Sequence, residues 1–236
     1  MRGQAMRLAD CVRLIHEARD DQLVITSMGV AREWMRLEPH PGDFHFVPSS
    51  MGQATSLALG IALARSDRRV LVCVGDGAML MNLGSLVSVT AAAPENLTIL
   101  LFDNGVYEVT GGQATAASAG RAGKGQAGKG QAGEGQAGEG RAGEGRASAG
   151  QTGAGQASRV DFAAVARGCG FSSVHPIDTL DDLRAALPQL LQGSGPSPGG
   201  PSLALLRVLP VPGAVGPKSP GPAAERARRL RQSLTD

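Results

Sequence analysis

Two residues with oxygen donors stand at the ends of two successive apolar runs. Val70 to Val74 is short, rich in β-branched side chains and followed at once by Gly75-Asp76-Gly77. Leu97 to Phe102 is the next such run, and it closes on Asp103-Asn104-Gly105. Runs of this kind read as parallel strands buried on both faces. Asp76 then offers an anionic oxygen and Asn104 an amide oxygen at the carboxyl edge of one sheet, where open α/β folds bind ligands. The pair suits Mg²⁺ on a diphosphate, because Mg²⁺ takes oxygen ligands and commonly only one or two carboxylates beside substrate phosphates. A main-chain carbonyl just past Asn104, that of Val106, completes the protein's share. Gly75 and Gly77 let phosphate oxygens approach the backbone, and the next helix points its N-terminus at them. By itself Gly-Asp-Gly also fits an ordinary βα turn with Asp76 capping the helix. The Asn at the following strand end is what favours the ion.

This pairing resembles the cofactor motif of thiamine diphosphate enzymes. Within that superfamily, Met81-Asn82-Leu83-Gly84-Ser85-Leu86, Pro94-Glu95-Asn96-Leu97 and the run Asn104 to Gln113 (NGVYEVTGGQ) are most similar to the sulfopyruvate and phosphonopyruvate decarboxylases. The resemblance covers about residues 8–116 and 159–208. It implies main-chain contacts to the diphosphate at Gly29 and Val30, and further cofactor contacts at Gly75, Asp76, Gly77, Ala78, Asn104, Val106 and Tyr107. It also implies that the corner Ser49-Ser50-Met51-Gly52 holds the aminopyrimidine, with Met51 wedged beneath the cofactor; an unbranched thioether suits such a gap. Ala78 stands where many relatives carry Ser, so main-chain donors serve there. Glu108, Thr110 and Gln113 follow the metal motif and are expected to face the substrate, with Glu108 and Gln113 as catalytic candidates.

The cofactor's chemistry adds to a small 2-oxo acid and accepts the electrons that departing CO₂ leaves behind. In this class a glutamate from a different domain activates the cofactor. Glu17, Glu33, Glu38 and Glu108 do not end a buried strand of a second α/β domain, so the expectation is a hetero-oligomer in which a pyrimidine-binding subunit brings that glutamate. Two alternatives are a thiamine diphosphate enzyme of other output (an acetolactate-synthase-like carboligase or a 2-oxo acid oxidoreductase subunit) and a non-catalytic cofactor-binding module.

Composition is consistent with one α/β domain. The chain has 236 residues, 42% hydrophobic, with net charge +2 and 3% aromatics. That allows one good core and gives neither the basic footprint nor the stacking surface of a nucleic-acid binder. Cys11, Cys73 and Cys169 are odd in number and widely spaced, which points to a reducing, cytoplasmic setting. The N-terminus has no apolar run after its arginines, so no signal peptide is expected. No apolar run has the length of a membrane span.

The expected fold is therefore three-layer αβα around a mainly parallel sheet. One domain occupies 1–113 and 159–209. A disordered insert occupies 114–158, and a tail with a short basic helix occupies 210–236. Helices are expected over residues 4–19, after Val30, over Ala54 to Ala64, over Asp161 to Cys169 and after the Thr179/Asp182 capping box. Ala54 to Ala64 is apolar almost all round and so expected to be buried. Further strands are expected at Leu23 to Thr26, Phe44 to Val47, Ser172 to Pro176 and Ser202 to Val208. Trp34 is assigned to packing, His40, His45 and His175 to structural or surface positions, and His16 to the solvent face. Within the insert, AGKGQ occurs twice, AGEGQ once and AGEGR twice from Ala122 to Arg146. Glycine at this spacing is not collagen, and the absence of hydrophobic side chains larger than Ala argues against a packed core.

Overall fold

A computed structural model describes residues 5–47, 52–116, 160–192 and 200–235. The chain runs β1 (Met6–Arg7), α1 (Leu8–Ala18), β2 (Leu23–Ser27), α2 (Met28–Trp34), β3 (Asp43–Phe46), α3 (Ala54–Ala64), β4 (Val70–Gly75), α4 (Asp76–Met81) and α5 (Ser85–Ala92). It continues with β5 (Leu97–Asp103), β6 (Val106–Tyr107), a 3₁₀ turn (Glu108–Thr110), β7 (Gln113–Ala114), α6 (Phe162–Gly168), β8 (Ser173–Ile177), α7 (Leu180–Gln192), β9 (Ser202–Leu209) and α8 (Ala223–Ser233).

The two apolar runs are buried on both sides, as their composition requires. Val70, Val72 and Val74 of β4 face one core with Leu97, Ile99 and Leu101 of β5. Leu71 and Cys73 face the other with Leu100 and Phe102. Helices α3, α5 and α6 cover the first face through Ala58, Leu86, Val89 and Phe162. Helices α1, α2 and α7 cover the second through Val12, Ile15, Trp34, Leu183 and Leu187. This is the expected three-layer αβα arrangement. The central sheet runs β1-β9-β5-β4-β2-β3, with β8 also pairing β9, and each of these pairs is parallel. β6 and β7 form a separate antiparallel ribbon.

Several elements depart from the expected bounds. The first helix begins at Leu8, because Met6 and Arg7 instead pair with Val208 and Leu209 at the far end of the chain. α2 starts at Met28, so Gly29 and Val30 lie within it, and it stops at Trp34 before Met35 and Leu37. α3 has the expected bounds but is not fully buried: its outer side leaves Leu63 56% exposed. Its small side chains leave that side uncharged but uncovered. His16 is half-buried instead of solvated, with Nε2 2.9 Å from the Glu38 carbonyl and its ring edge-on to Trp34. The Thr179/Asp182 cap forms, with Asp182 N donating to Thr179 Oγ1 at 3.1 Å. The basic helix docks on edge strand β3, where Arg226 donates to the carbonyls of His45 and Val47, both at 2.6 Å. That occupies edge carbonyls which would otherwise stay open to another strand. Ser49, Ser50 and Met51, and nearly all of the expected insert, lie outside the described residues.

Candidate active site

Strand order dictates where a cleft opens. From β2 the chain goes outward to β3 by way of α2 on one face. From β4 it goes the other way to β5 by way of α4 and α5 on the opposite face. The carboxyl ends of β2 and β4 therefore part, and such a switch point is where doubly wound sheets take ligands. A cleft of about 390 Å³ lies there. Met28, Gly29 and Val30 line it from β2 and α2, Gly75 to Ala78 from β4 and α4, and Asn104, Val106, Tyr107 and Glu108 from the end of β5 onward. Gly52 and Thr110 also line it, and Leu8, Phe102 and Val208 add apolar wall. The sequence-derived candidates among the described residues thus meet in one place, except Gln113. Its exposed side chain turns back on Thr110, with Nε2 donating to the Thr110 carbonyl at 2.9 Å. A larger cleft beside β3 and α8 lies away from this edge.

Asp76 is 1% exposed. Its carboxyl is pushed up to about 6, first by burial and then by the nearby Asp103 charge, against a lowering hydrogen bond from Thr115. Thr115 Oγ1 donates to Asp76 Oδ2 at 2.8 Å. Asn104 is fixed at both ends of its amide. Val106 N donates to Oδ1 at 2.9 Å, and Nδ2 donates to Glu108 Oε1 at 2.8 Å. Since a carbonyl oxygen has two lone pairs, Oδ1 keeps acceptor capacity beyond the Val106 bond.

These residues fit a divalent ion on a phosphate. A desolvated carboxylate gains from a cation beside it, and Asn104 adds a neutral oxygen. Among the described residues no group of three or more His, Cys, Asp or Glu side chains forms a metal cluster. An ion here would therefore depend on one carboxylate, one amide, main-chain oxygen and the ligand's own oxygens, which is how Mg²⁺ is commonly held. The glycines have distinct tasks. A Cβ at Gly77 would lie 2.7 Å from the Tyr107 ring, so close packing excludes a side chain. Gly52 has φ +83°, and a Cβ there would meet Asn82 Cβ at 2.7 Å.

Sequence reasoning missed two residues. Thr115 sits where the composition has already turned to Gly and Ala, so nothing local marks it. Met28 opens α2 at φ 48°, a strained conformation for a bulky side chain of the kind that collects at functional sites.

Comparison with known proteins gives the family and the fold. The family described as thiamine pyrophosphate enzyme, C-terminal TPP binding domain, matches residues 26–198. Phosphonopyruvate decarboxylase of Streptomyces viridochromogenes is 35% identical over 97% of this chain, which spans only 46% of that relative. The beta subunit of sulfopyruvate decarboxylase from Methanothermobacter thermautotrophicus is 43% identical over 46% of the chain and 58% of its own length. In fold, the chain is similar to the thiamine diphosphate-dependent 4-hydroxybenzoylformate decarboxylase of Rhodococcus jostii, with a TM-score of 0.58 at 17% identity, covering 88% of this chain and 33% of that one. The chain belongs to the thiamine pyrophosphate enzymes, as their C-terminal TPP-binding domain.

Proposed function

We propose that this chain is the thiamine diphosphate- and Mg²⁺-binding part of a 2-oxo acid decarboxylase of the sulfopyruvate or phosphonopyruvate type, acting in the cytoplasm with a pyrimidine-binding partner subunit. The observation that carries this reading is the meeting of Asp76 and Asn104 in one cleft between two glycine-bearing strand ends. When bound, thiamine diphosphate supplies the nucleophilic carbon and the electron sink that decarboxylation needs. The chain's own residues bind and orient. Asp76, Asn104 and the Val106 carbonyl are the oxygen donors for the ion. Gly29, Val30, Gly75, Gly77 and Ala78 bring backbone close to the diphosphate, and the Tyr107 ring closes over Gly77. The apolar wall of Leu8, Phe102 and Val208 keeps water from that side.

Among the described residues Glu108 is the one glutamate lining the cleft, and its acceptors are engaged by protein donors. That supports an activating glutamate supplied from outside this chain. The free thiols of Cys11, Cys73 and Cys169 support a reducing compartment. No described helix is long and apolar enough to cross a membrane.

The test combines the purified chain with thiamine diphosphate and Mg²⁺, with and without a pyrimidine-binding-domain subunit. Pyruvate, sulfopyruvate and phosphonopyruvate are offered and CO₂ release is measured. Turnover is expected only with the partner. Efficient decarboxylation by the chain alone refutes the divided site, and absence of Mg²⁺-dependent cofactor binding refutes the whole assignment.

A further inference from the structure

Glu108 lines the cleft, yet each of its carboxylate oxygens already accepts from the protein. Oε1 accepts from Asn104 Nδ2 at 2.8 Å and from Val211 N at 2.9 Å, and Oε2 accepts from Arg32 Nη2 at 3.2 Å. The Glu108 side chain is 6% exposed. Asn104 is the only one of these donors that also belongs to the proposed ligand set. Turning its amide over would set N–H against the Val106 N–H and oxygen against the Glu108 carboxylate. Both contacts therefore select the same face. Hydrogen bonds to an ionised partner are about twice as strong as neutral ones, so Glu108 supplies the larger part of that selection. An anionic acceptor on Nδ2 also draws electron density toward Oδ1, which makes it a better ligand for a hard cation. Outer partners of this kind orient and tune the groups that touch a metal.

We propose that Glu108 is a positioning residue that acts through Asn104, aiming and polarising Oδ1 toward the divalent ion. This rests on the reading that the cleft holds Mg²⁺ with thiamine diphosphate. It differs from the substrate contact that position in the sequence suggests for Glu108. Arg32 on α2 and the Val211 amide in the tail hold the Glu108 carboxylate itself, so the site draws on segments far apart in the chain.

The full chain is titrated with Mg²⁺ in the presence of thiamine diphosphate, with binding read by calorimetry. Glu108→Ala should weaken apparent Mg²⁺ affinity about tenfold or more. Glu108→Gln keeps the bulk and one neutral acceptor and should fall between that variant and the wild type. Val211→Pro removes the tail's N–H donor between Pro210 and Pro212 and leaves Asn104 untouched; its affinity should stay within about twofold of wild type if aiming through Asn104 is what matters. The decisive comparison repeats Glu108→Ala in the Asn104→Asp background. A carboxylate has two equivalent oxygens and needs no aiming, so the loss should vanish or reverse there as a like charge is removed. Equal losses from Val211→Pro and Glu108→Ala, or the same factor in both backgrounds, would overturn the proposal. Wild-type binding that Glu108→Ala leaves unchanged overturns it alone. A wild-type chain without Mg²⁺-dependent cofactor binding overturns the functional reading and this proposal together.

Discussion

Replacing Thr115 by Val removes the hydroxyl that serves the cleft residue Asp76. The two side chains are nearly the same size, so no cavity is opened and only the hydroxyl is lost. That hydroxyl donates to Asp76 Oδ2 at 2.8 Å, with Thr115 3% and Asp76 1% exposed. A hydrogen bond to a charged group contributes about 1.5–3 kcal/mol, against about 0.5–1.5 kcal/mol for a neutral one. Which value applies depends on the charge of Asp76, whose carboxyl titrates at about 6. Its pKa is raised above the unfolded value of 3.8, so the stability linked to its proton is complete below that value and is lost as pH rises through about 6. Removing the donor raises the folded pKa further and deepens that loss. Urea unfolding of the metal-free chain at pH 8 and pH 5 should therefore show Thr115→Val destabilised by about 1.5–3 kcal/mol at the higher pH and by about 0.5–1.5 kcal/mol at the lower. Other titrating groups are common to both proteins and cancel. The same loss at both pH values, or less than about 0.5 kcal/mol at pH 8, would refute the claim that the hydroxyl serves an ionised Asp76.

Two further outcomes follow from single features. Asn96 Nδ2 lies 3.0 Å from the Ala62 carbonyl, 2.9 Å from that of Arg65 and 2.8 Å from that of Arg68. Asn96→Ala should destabilise by about 2–4 kcal/mol by urea titration, and Asn96→Asp, which faces oxygen against oxygen, should cost more. Deleting the five pentapeptides of 122–146 shortens the segment 117–159 from about 43 to about 18 residues, which lowers loop-closure entropy by only ~0.8 kcal/mol. Melting of the deleted chain should match the full chain to within about 3 °C.

What was legible in the sequence was what repeats locally or sits at a strand end. β4 and β5 announced themselves because residues buried on both faces must all be apolar, and α3 because its small apolar side chains hold helix over the whole expected span. Asp76 and Asn104 were legible because each stands just past the end of such a run, with one residue between. What was hidden comes from distant pairing. Met6 and Arg7 look helical from their neighbours, yet they pair in parallel register with Val208 and Leu209. No periodicity marks Arg226, which caps carbonyls at His45 and Val47 from the other end of the chain. Glu108 stands out in the sequence by its position alone, while the partners that define its surroundings, Arg32 and Val211, lie on either side of it at long range.

The same logic explains how a long repeat can enter the sequence so soon after the cleft residues. The chain leaves the cleft through β6 and β7, whose pairing sets Val106 opposite Ala114 and Tyr107 opposite Gln113. Thr115 N then donates to the Gly105 carbonyl at 2.9 Å while its hydroxyl holds Asp76. One residue later the Ala116 carbonyl accepts from Val160 N at 3.3 Å, so departure and return share one hydrogen-bonded base. Closure entropy grows only with the logarithm of length, so residues added beyond that base act weakly on the fold. The base itself is different, because Thr115 is both its anchor and the hydroxyl donor to the buried Asp76 carboxylate. Variation in length is therefore cheap between Ala116 and Val160, whereas a shift of Thr115 by a single residue would strip Asp76 of its donor.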